Sequence, residues 1–459
     1  MRITKPRTNS LILCTARDHR TSPHKPAQFF KLIPYELQCL LVLLLCLSAT
    51  VGYTQSSTDV LNLPRCIELA RNAPSSVKRA REQLDAAKFG EQAARANFLP
   101  QVSIVNGFTY NSPLLYDHNS FSFIALNGIR EYSSAATTTL ELDSSGRLRA
   151  LYDRARANRT IAETGLAMSE RDLDHAVSVA YYRVLLTQKL VASANENLQA
   201  ARDFETKVRQ LVDGGEASQA DLTKASLETS VLERTADSMK VEAEMAEHDL
   251  VSYWTTGAST RLSLADDLDQ QPPEPGTSSE SAPYLKRPEF RMLAAQIAGF
   301  KADARQARAG MLPQLNLSFQ YGIDANRVTS RDRGYAGFVH LDIPIFDFLR
   351  ARSEQRQFQS EARAAQTDLS IGARMFSKEY QDALSQVNGI YAQIAITQRQ
   401  VDLAKENLRL SRLRFESGEG TALEVVTAQS ALAQADIDFY TTRADYLNAL
   451  TALKVASGQ

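Results

Sequence analysis

Hydrophobic residues recur along this chain with two different spacings, and the two spacings alternate in the same order twice. The clearest two-residue spacing places apolar side chains between Gln, Asn and Ser residues, at Leu315, Leu317, Phe319 and Tyr321. Such alternation predicts a strand with one apolar and one polar face. The clearest spacing of four and three residues predicts a helix with a coiled-coil seam, formed by Leu173, Val177, Ala180, Val184, Thr187, Val191, Ala194 and Leu198.

The two spacings predict the same order of elements in each half: helix, strand, loop, strand, long helix, tight turn and helix. In the first half these elements are predicted at residues 64–98, 102–110, 111–131, 132–142, 147–212 and, after the turn, 217–256. In the second half the helices and strands are predicted at residues 288–311, 315–321, 335–345, 350–417 and, after the turn, up to about 456. The predicted fold class is mixed α and β, built mostly of long α-helical coiled-coil hairpins and internally duplicated.

One helix-to-strand junction occurs twice in nearly the same residues. Residues 94–101 are Ala-Arg-Ala-Asn-Phe-Leu-Pro-Gln, and residues 307–314 are Ala-Arg-Ala-Gly-Met-Leu-Pro-Gln, so six of the eight positions are identical. Each copy ends an alanine-rich helical stretch, and Pro100 or Pro313 stops the helix. The repeat indicates that the chain is built from two similar halves.

The turns between the paired helices also match, at a constant offset of 203 residues. Residues 215–222, the first tip, are Gly-Glu-Ala-Ser-Gln-Ala-Asp-Leu, and residues 418–425, the second tip, are Gly-Glu-Gly-Thr-Ala-Leu-Glu-Val. A glycine ends one helix in the left-handed conformation, Ser or Thr caps the next helix, and an acidic residue three positions later completes a capping box. The residues predicted to have these roles are Gly215, Ser218, Asp221, Gly418, Thr421 and Glu424.

Residues 1–54 are expected to be a leader with a cleaved signal peptide. Residues 1–36 carry seven Lys or Arg against two acidic residues, and an apolar stretch of about 13 residues follows from Cys39 to Val51. This stretch is short for a membrane-spanning helix and typical of a signal-peptide core. Small residues after it favour cleavage between Ala49 and Gln55, and an uncleaved N-terminal anchor is the alternative.

The rest of the chain is predicted to have three parts. Residues 55–256 form the first repeat, and residues 284–459 form the second. Between them, residues 257–283 are rich in Asp, Pro and Ser, which indicates a linker. The boundaries follow the points where the helical spacing stops and restarts.

Charge and cysteine content narrow the possible functions. Beyond residue 36 the chain has 45 basic and 51 acidic residues, and this net charge of −6 argues against a nucleic-acid partner. Of the four cysteines, only Cys66 lies outside the leader. An exported chain with one cysteine has no internal disulfide framework.

The four predicted strands have the length and pattern of membrane strands. Strands of about 9–11 residues cross a bilayer when tilted, and an apolar face opposite a polar face is typical of a barrel with a wet lumen. Four strands cannot close a barrel, and open sheet edges are not tolerated in lipid. Three copies would pool twelve strands. The long helices are charged throughout, so they must project into water as a tube or bundle.

In this order, and duplicated, these features resemble the TolC-like outer membrane efflux protein family. The resemblance covers about residues 60–457 and rests on both junctions, both tips, residues 142–147 (Leu-Asp-Ser-Ser-Gly-Arg) and residues 343–347 (Ile-Pro-Ile-Phe-Asp). It implies a homotrimer whose 12-stranded transmembrane β-barrel in the outer membrane continues as an α-helical barrel in the periplasm. It also implies a passive exit duct for drugs, small molecules or proteins in a tripartite efflux or type I secretion system. The implied partners are a periplasmic membrane-fusion adaptor, an inner-membrane pump and outer membrane lipids.

In this family the helix tips close the periplasmic end of the tube, where acidic rings are tied by a basic and an aromatic residue. The resemblance places Glu424 on the first acidic ring and Phe415 on the aromatic position, and it suggests that the adaptor docks at the tips. This chain departs from the pattern at Gly420, where some members have arginine, and at Thr427, where some have a second aspartate. A ring of three carboxylates would attract cations, but Glu424 could equally act only as a helix cap.

Six aromatic residues are candidates for the girdles that flank a membrane barrel: Phe108, Tyr110, Phe121, Phe123, Phe319 and Tyr321. An ordinary apolar strand face is the alternative interpretation. The export signal favours the girdle.

No arrangement of residues in the sequence is typical of an enzyme or a metal site. The histidines after the leader are scattered without metal-binding spacing. Cys66 is expected to be a buried small residue. Asp266, Asp267 and Asp269 lack the glycine and distal glutamate of a calcium loop, so a solvated linker is expected there. We therefore expect no catalysis, no cofactor and no metal.

Two other functions are compatible with parts of this pattern. A soluble periplasmic coiled-coil adaptor would share the helical hairpins, but it would not need four amphipathic strands of membrane length. An enzyme of unknown type is disfavoured by the missing catalytic residues. Dependence on detergent separates these alternatives from a lipid-facing barrel.

Overall fold

The computed structural model describes residues 60–111, 129–257, 262–265, 268–276 and 282–458. Within these ranges, strands form where apolar residues alternate with polar ones, and helices form where apolar residues recur at three and four positions. No helix in these ranges is both long enough and apolar enough to cross a membrane.

The four alternating stretches form one antiparallel sheet in the order β1-β2-β3-β4. The strands are β1 (Gln101–Tyr110), β2 (Arg130–Leu142), β3 (Gln314–Ala325) and β4 (Arg333–Asp342). β2 of the first half pairs with β3 of the second half, so both halves contribute to a single sheet. Within the described residues, β1 and β4 are its two edge strands.

β4 ends earlier than the predicted strand, which extended to Ile345. Within the described residues β4 pairs only with β3, and the first residue of β3, Gln314, lies opposite Asp342. Beyond Asp342 the strand has no neighbouring backbone with which to form ladder hydrogen bonds. The predicted strand end is therefore wrong for the single chain.

One face of the sheet is apolar and exposed. Because Ala136 pairs with both Ile104 and Tyr321, the apolar residues of β1 and β3 lie on the same face. Four of the six predicted girdle aromatics share this face and are exposed: Phe108, Tyr110, Phe319 and Tyr321. Phe121 and Phe123 lie outside the described residues. Their membership of a girdle remains a prediction.

Seven α-helices are described: α1 (Leu63–Asn72), α2 (Ser76–Ala96), α3 (Arg147–Asp213), α4 (Gln219–Val251), α5 (Pro288–Ala309), α6 (Arg350–Glu416) and α7 (Ala422–Ser457). Short 3₁₀ helices lie at Pro283–Lys286 and Ser330–Asp332. α3 and α6 each have 67 residues, so each spans about 100 Å at 1.5 Å per residue. α3 pairs with α4 and α6 pairs with α7 as two long hairpins. The eight predicted seam residues of α3 are all buried or half-buried.

The single helix predicted at residues 64–98 is wrong, because the chain is broken between α1 and α2. Ala73 is extended, with φ of −73° and ψ of 165°. It precedes Pro74, whose ring disfavours the helical conformation in the residue before it. The break lets α1 and α2 pack at different places along α3.

The described part of the predicted linker is packed against the helices. Leu268 is fully buried in the same apolar cluster as Tyr181 of α3, and the Tyr181 hydroxyl donates to the Ala265 carbonyl at 3.0 Å. This part of the linker is therefore anchored on α3 through Ala265 and Leu268, which buries apolar surface, while the side chain of Asp269 is 56% exposed. Asp266 and Asp267 lie outside the described residues.

A buried cluster of charges ties α3, α5 and α6 together. Glu289, at the start of α5, lies 2.9 Å from Arg171 of α3 and 2.9 Å from Arg287, and Arg287 also pairs with Glu379 of α6. Burial alone would raise the pKa of Glu289, but hydrogen bonds from Arg287 and Arg171 outweigh burial and hold this pKa below its ordinary value.

We expect Glu289→Gln to lower the free energy of unfolding by about 3 kcal/mol, because it removes the buried carboxylate that two buried guanidinium groups share and leaves them only the more exposed carboxylates of Glu379 and Asp172. Since the folded-state pKa of Glu289 is lowered, its contribution is present above the ordinary glutamate pKa and is lost as pH falls through the folded value. Urea unfolding in detergent, followed by helical circular dichroism at several pH values, measures both effects.

Lys378→Ala is the matched control, because Lys378 and Asp382 form an exposed ion pair on α6, next to Glu379 of the buried cluster. It should leave the unfolding midpoint unchanged. Equal midpoints for the two variants at neutral pH would show that the buried cluster does not stabilise the fold.

Candidate functional site

The first tip closes the hairpin of α3 and α4 as its residues predict. Gly215 has a φ of +77°. The two residues after Gly215, Glu216 and Ala217, donate their backbone N–H groups to the Leu211 carbonyl at 2.8 and 3.2 Å. The Ser218 hydroxyl oxygen accepts the Asp221 N–H at 3.2 Å and donates to the Asp221 carboxylate at 2.6 Å. The Ser218 cap of α4 is therefore present, but the predicted capping box forms only in part, because the Asp221 carboxylate accepts from the Ser218 hydroxyl and not from the Ser218 N–H.

The second tip repeats this backbone geometry between α6 and α7. Gly418 also has a φ of +77°, and the Arg414 carbonyl accepts the N–H groups of the two residues after Gly418, both at 2.9 Å. The Thr421 hydroxyl oxygen accepts the Glu424 N–H at 3.3 Å. The helix cap predicted at Thr421 is therefore present.

The carboxylate of Glu424 is used differently from a complete capping box. It lies 3.0 Å from the guanidinium of Arg414, in the last turn of α6, and both side chains are partly exposed. A complete box would bring this carboxylate to the Thr421 N–H, so the predicted box at the second tip forms only in part. Sequence reasoning missed Arg414, because the tight turn brings together residues ten positions apart.

Gly420 and Thr427, the two positions that depart from the family pattern, carry no charge, so Arg414 is the cation that pairs with Glu424. A Cβ at Gly420 would lie 3.0 Å from Arg414 Cβ and 3.0 Å from Phe415 N, so any side chain there would force the turn to shift. The Thr427 hydroxyl donates to the Leu423 carbonyl at 2.8 Å. The positive charge at this tip comes from the end of α6, not from position 420.

Phe415 joins the ends of the two hairpins. It is half-buried and packs edge-on against Phe204 of α3, with ring centroids 5.2 Å apart. Both rings belong to an apolar cluster with residues of α3, α4, α6 and α7. The Lys207 ammonium and the Glu416 carboxylate pair at 2.5 Å beside this cluster. The structure therefore brings the two tips into one packed unit.

An open groove of about 460 Å³ lies between α3 and α6 next to these rings. Its lining mixes charges of both signs, at Glu196, Asp203, Lys207, Arg412 and Glu416. Nε and Nη2 of Arg412 are buried without a hydrogen-bond partner among the described residues. The groove is therefore an open surface lined by charged side chains of both signs, while these two nitrogens lie beneath it.

Glu205 of α3 is held as a carboxylate near the first tip. Burial alone would raise its pKa, but hydrogen bonds from neighbouring side chains outweigh burial and lower this pKa. Two of these bonds come from the Ser226 hydroxyl and the Arg209 guanidinium, both at 2.9 Å. The negative charge near this tip is therefore fixed at neutral pH.

The described residues include no group of three or more His, Cys, Asp or Glu placed to hold a metal ion. Asp269 pairs with Lys189 at 2.6 Å. Cys66 is fully buried, and burial raises the pKa of its thiol to about 11. A thiol with this pKa is protonated at neutral pH and is a poor nucleophile.

We expect Gly215→Ala to destabilise the first tip by about 1–2 kcal/mol, because Ala is strained at positive φ. Gly214→Ala is the matched control. Gly214 has a φ of −79° in the helical region, and a Cβ there would meet Gln210 O at an ordinary 3.5 Å. Hydrogen exchange of residues 211–222, followed by mass spectrometry, measures the difference. Equal exchange in the two variants would contradict a requirement for glycine at position 215.

A family model described as "Outer membrane efflux protein" matches residues 66–246 and 284–459. The two matched segments correspond to the two halves of the chain. The soluble-adaptor alternative is therefore set aside.

Curated relatives have low identity over most of the chain. The pyoverdine export outer membrane protein OpmQ of Pseudomonas aeruginosa is 24% identical over 81% of this chain and 78% of its own length. The outer membrane protein TolC of Vibrio cholerae is 23% identical over 90% of this chain and 94% of its own length. The cobalt-zinc-cadmium resistance protein CzcC of Cupriavidus metallidurans is 24% identical over 84% of this chain and 87% of its own length.

Solved structures share the fold. A crystal structure of CusC has a TM-score of 0.78 at 18% identity and covers 86% of this chain and 92% of that chain. The outer membrane channel CmeC of Campylobacter jejuni has a TM-score of 0.76 at 15% identity and covers 87% of this chain and 86% of that chain. With these matches, the duplicated sequence and the four-stranded sheet, the chain belongs to the outer membrane efflux protein family and is an outer membrane efflux channel.

Proposed function

We propose that three copies of this chain form one passive exit duct from the periplasm to the outside, in a tripartite efflux or type I secretion system. The observation that carries this proposal is the pair of sheet edges: within the described residues, β1 and β4 each have one neighbouring strand. An unpaired backbone N–H or C=O in lipid costs several kcal/mol. Three copies supply twelve antiparallel strands, which close into a barrel without edges.

The helical hairpins continue this duct in water. Each copy contributes two hairpins, α3 with α4 and α6 with α7, and three copies contribute six. Their exposed surfaces carry many ion pairs, which suits the periplasm and not lipid. The hairpin tips then lie at the end of the tube that is farthest from the outer membrane.

The expected partners are a periplasmic membrane-fusion adaptor and an inner-membrane pump. The groove beside Phe204 and Phe415 offers charged side chains of both signs to a polar helix of the adaptor. We also propose that residues 1–54 are removed as a leader and that the repeats span residues 55–256 and 284–459, with residues 257–283 as the linker between them.

The cargo is proposed only as a class: drugs, small molecules or proteins. Relatives at nearly equal identity are named for pyoverdine export, toluene efflux and cobalt-zinc-cadmium resistance. Such different cargoes on one fold agree with a duct whose inner-membrane pump selects the cargo.

At the entrance, we propose a ring of three Glu424 carboxylates, each paired with Arg414 of the same chain. Because the pair is partly exposed at 3.0 Å, it is weak enough to exchange with ions or an adaptor. The alternative is that Glu424 serves only as part of the cap of α7.

We expect the purified mature protein to require detergent and to have the mass of three chains. Lipid-facing strands explain the detergent requirement, and edge pairing explains the stoichiometry. Native mass spectrometry of membrane extracts measures both. A detergent-free monomer would overturn the proposed channel.

We expect Glu424→Gln to reduce cation preference about threefold in planar bilayer recordings, the factor that matches about 0.6 kcal/mol between unit charges about 7 Å apart in water. Arg414→Ala should increase cation preference, because it leaves Glu424 unpaired.

Glu406→Gln is the matched control, since Glu406 is an exposed acid on α6, the helix that carries Arg414, and pairs with Arg409. It should leave selectivity unchanged. If Glu424→Gln behaves like this control, Glu424 acts only in the cap and the gate ring is wrong.

A further inference from the structure

The internal duplication provides a template for the contact between neighbouring copies, and this inference rests on the trimer proposed above. Gln101 of β1 pairs with Thr139 of β2, and Gln314 of β3 pairs with Asp342 of β4. Gln314 lies 213 residues after Gln101, and Asp342 lies 203 residues after Thr139, so the same two offsets relate the second pair to the first. β3 is therefore the counterpart of β1, and β4 is the counterpart of β2, in the same register.

The pairing of β2 with β3 then predicts how β4 pairs with β1 of the next copy. Leu142 of β2 lies opposite Leu315 of β3. Their counterparts are Ile345 and Val102, so Ile345 of one copy should lie opposite Val102 of the next. Both side chains are exposed in the single chain, by 93% and 71% respectively.

This register keeps apolar side chains on one face across the contact. It places Ile343 opposite Ile104 and Val339 opposite Phe108 of the next copy. A shift by one residue would turn these side chains to the polar face. With this register, β4 would extend beyond Asp342 to Ile345, the last residue of the alternating pattern.

The turn after β4 is the counterpart of the turn after β2. Residues 346–349 (Phe-Asp-Phe-Leu) correspond to residues 143–146 (Asp-Ser-Ser-Gly). The first-half turn contacts the junction before β3 of the same chain, where the Ser144 hydroxyl donates to the Pro313 carbonyl at 2.9 Å. The second-half turn should therefore contact the junction before β1 of the next copy, around Pro100.

Exposure differs between counterpart residues in the way that this contact requires. Ala309, at the junction before β3, is 1% exposed, whereas its counterpart Ala96 is exposed. Ala302 of α5 is fully buried, whereas its counterpart Phe89 of α2 is 66% exposed. Within the chain α5 packs between α3 and α6, while α2 packs mainly on α3. One side of α2 is open to α6 of the next copy.

The second-half turn is bulky, exposed and strained. Phe346 and Phe348 are 73% and 85% exposed, and their ring centroids are 4.6 Å apart. Phe348 and Leu349 have φ of +52° and +65° in the left-handed region. Gly146 is the counterpart of Leu349, whereas Ser145, the counterpart of Phe348, is not left-handed. Within the chain, the Asp347 carboxylate accepts the N–H groups of Leu349 at 3.0 Å and Ala351 at 2.9 Å, which holds the backbone of the turn. The side chains of the two left-handed residues have little packing around them in the single chain, and packing against the next copy would supply it.

A matching cavity lies at the other edge of the same chain. β1 begins and β4 ends at the same end of the sheet. An open cavity of about 830 Å³ lies at the start of β1, lined by Gln92, Arg95, Ala96, Phe98, Leu99, Arg149 and Tyr152. We propose that residues 346–349 of one copy dock into this cavity of the next copy, with Ile345 opposite Val102. A second copy of this chain is the occupant.

Paired cysteines test the register in the full-length protein. Directly opposite residues of antiparallel strands have Cα atoms about 4.5–5.5 Å apart, within the reach of a disulfide. Ile345→Cys with Val102→Cys should give disulfide-linked dimers and trimers on non-reducing gels. Ile343→Cys with Val102→Cys is the shifted control, because diagonal neighbours lie about 7–8 Å apart and should link far less. Each single cysteine variant controls for random linkage and for Cys66.

The outcomes separate this inference from the proposed function. A trimer by native mass spectrometry with linkage of residues 345 and 102 supports both. A trimer that links the shifted pair better, or links neither pair, overturns the register while the channel stands. A monomer overturns the proposed trimer itself.

Phe346→Ser with Phe348→Ser tests the turn. The trimer should then dissociate at a temperature several degrees lower on semi-native gels, because the turn loses its apolar contact with the next copy. Leu227→Ser is the matched control, since Leu227 of α4 is also an exposed apolar residue, at 66%, but lies near the first tip and far from the sheet. Equal dissociation temperatures for the two variants would overturn docking of the turn.

Discussion

Backbone groups that face lipid must have hydrogen-bond partners, and the rest of the structure depends on this constraint. Within one chain, three antiparallel pairings provide hydrogen-bond partners for the backbone groups between neighbouring strands. The backbone groups on the outer edges of β1 and β4 have no partner strand among the described residues. The exposed apolar face of the strands is suited to lipid, whereas the charged surfaces of the long helices are not. A single requirement therefore places the sheet in the membrane, excludes the helices from it and calls for further copies.

The duplication lets one chain supply two similar but chemically different hairpin ends. At the first tip Asp221 is occupied by Ser218 within the cap, whereas at the second tip Glu424 leaves its cap to pair with Arg414. The backbone of the two turns is the same, with a left-handed glycine in each. Charge at the hairpin tips can therefore vary without a change in the turns that hold it.

Local rules in the sequence were enough for most of the fold. Alternation predicted the four strands, and the glycines at positions 215 and 418 do adopt positive φ. The break before Pro74 was also a local feature, but the alanine-rich pattern around it outweighed the proline in the prediction. Burial of Leu268 and the partner of Glu424 depend on residues brought together by the fold, which spacing along the chain does not encode. The end of β4 depends on a neighbouring strand.

The strained turn after β4 has an energetic consequence for assembly. Left-handed conformations at Phe348 and Leu349 cost about 1–2 kcal/mol for each residue. Burying an exposed phenylalanine side chain contributes about 1.5–3 kcal/mol, and this turn carries two. Docking on the next copy therefore offsets the strain, whereas the single chain retains it with both rings in contact with solvent. Glycine at position 349 would relieve the backbone strain in the monomer. With leucine there, the strain is offset only when the turn docks on the next copy.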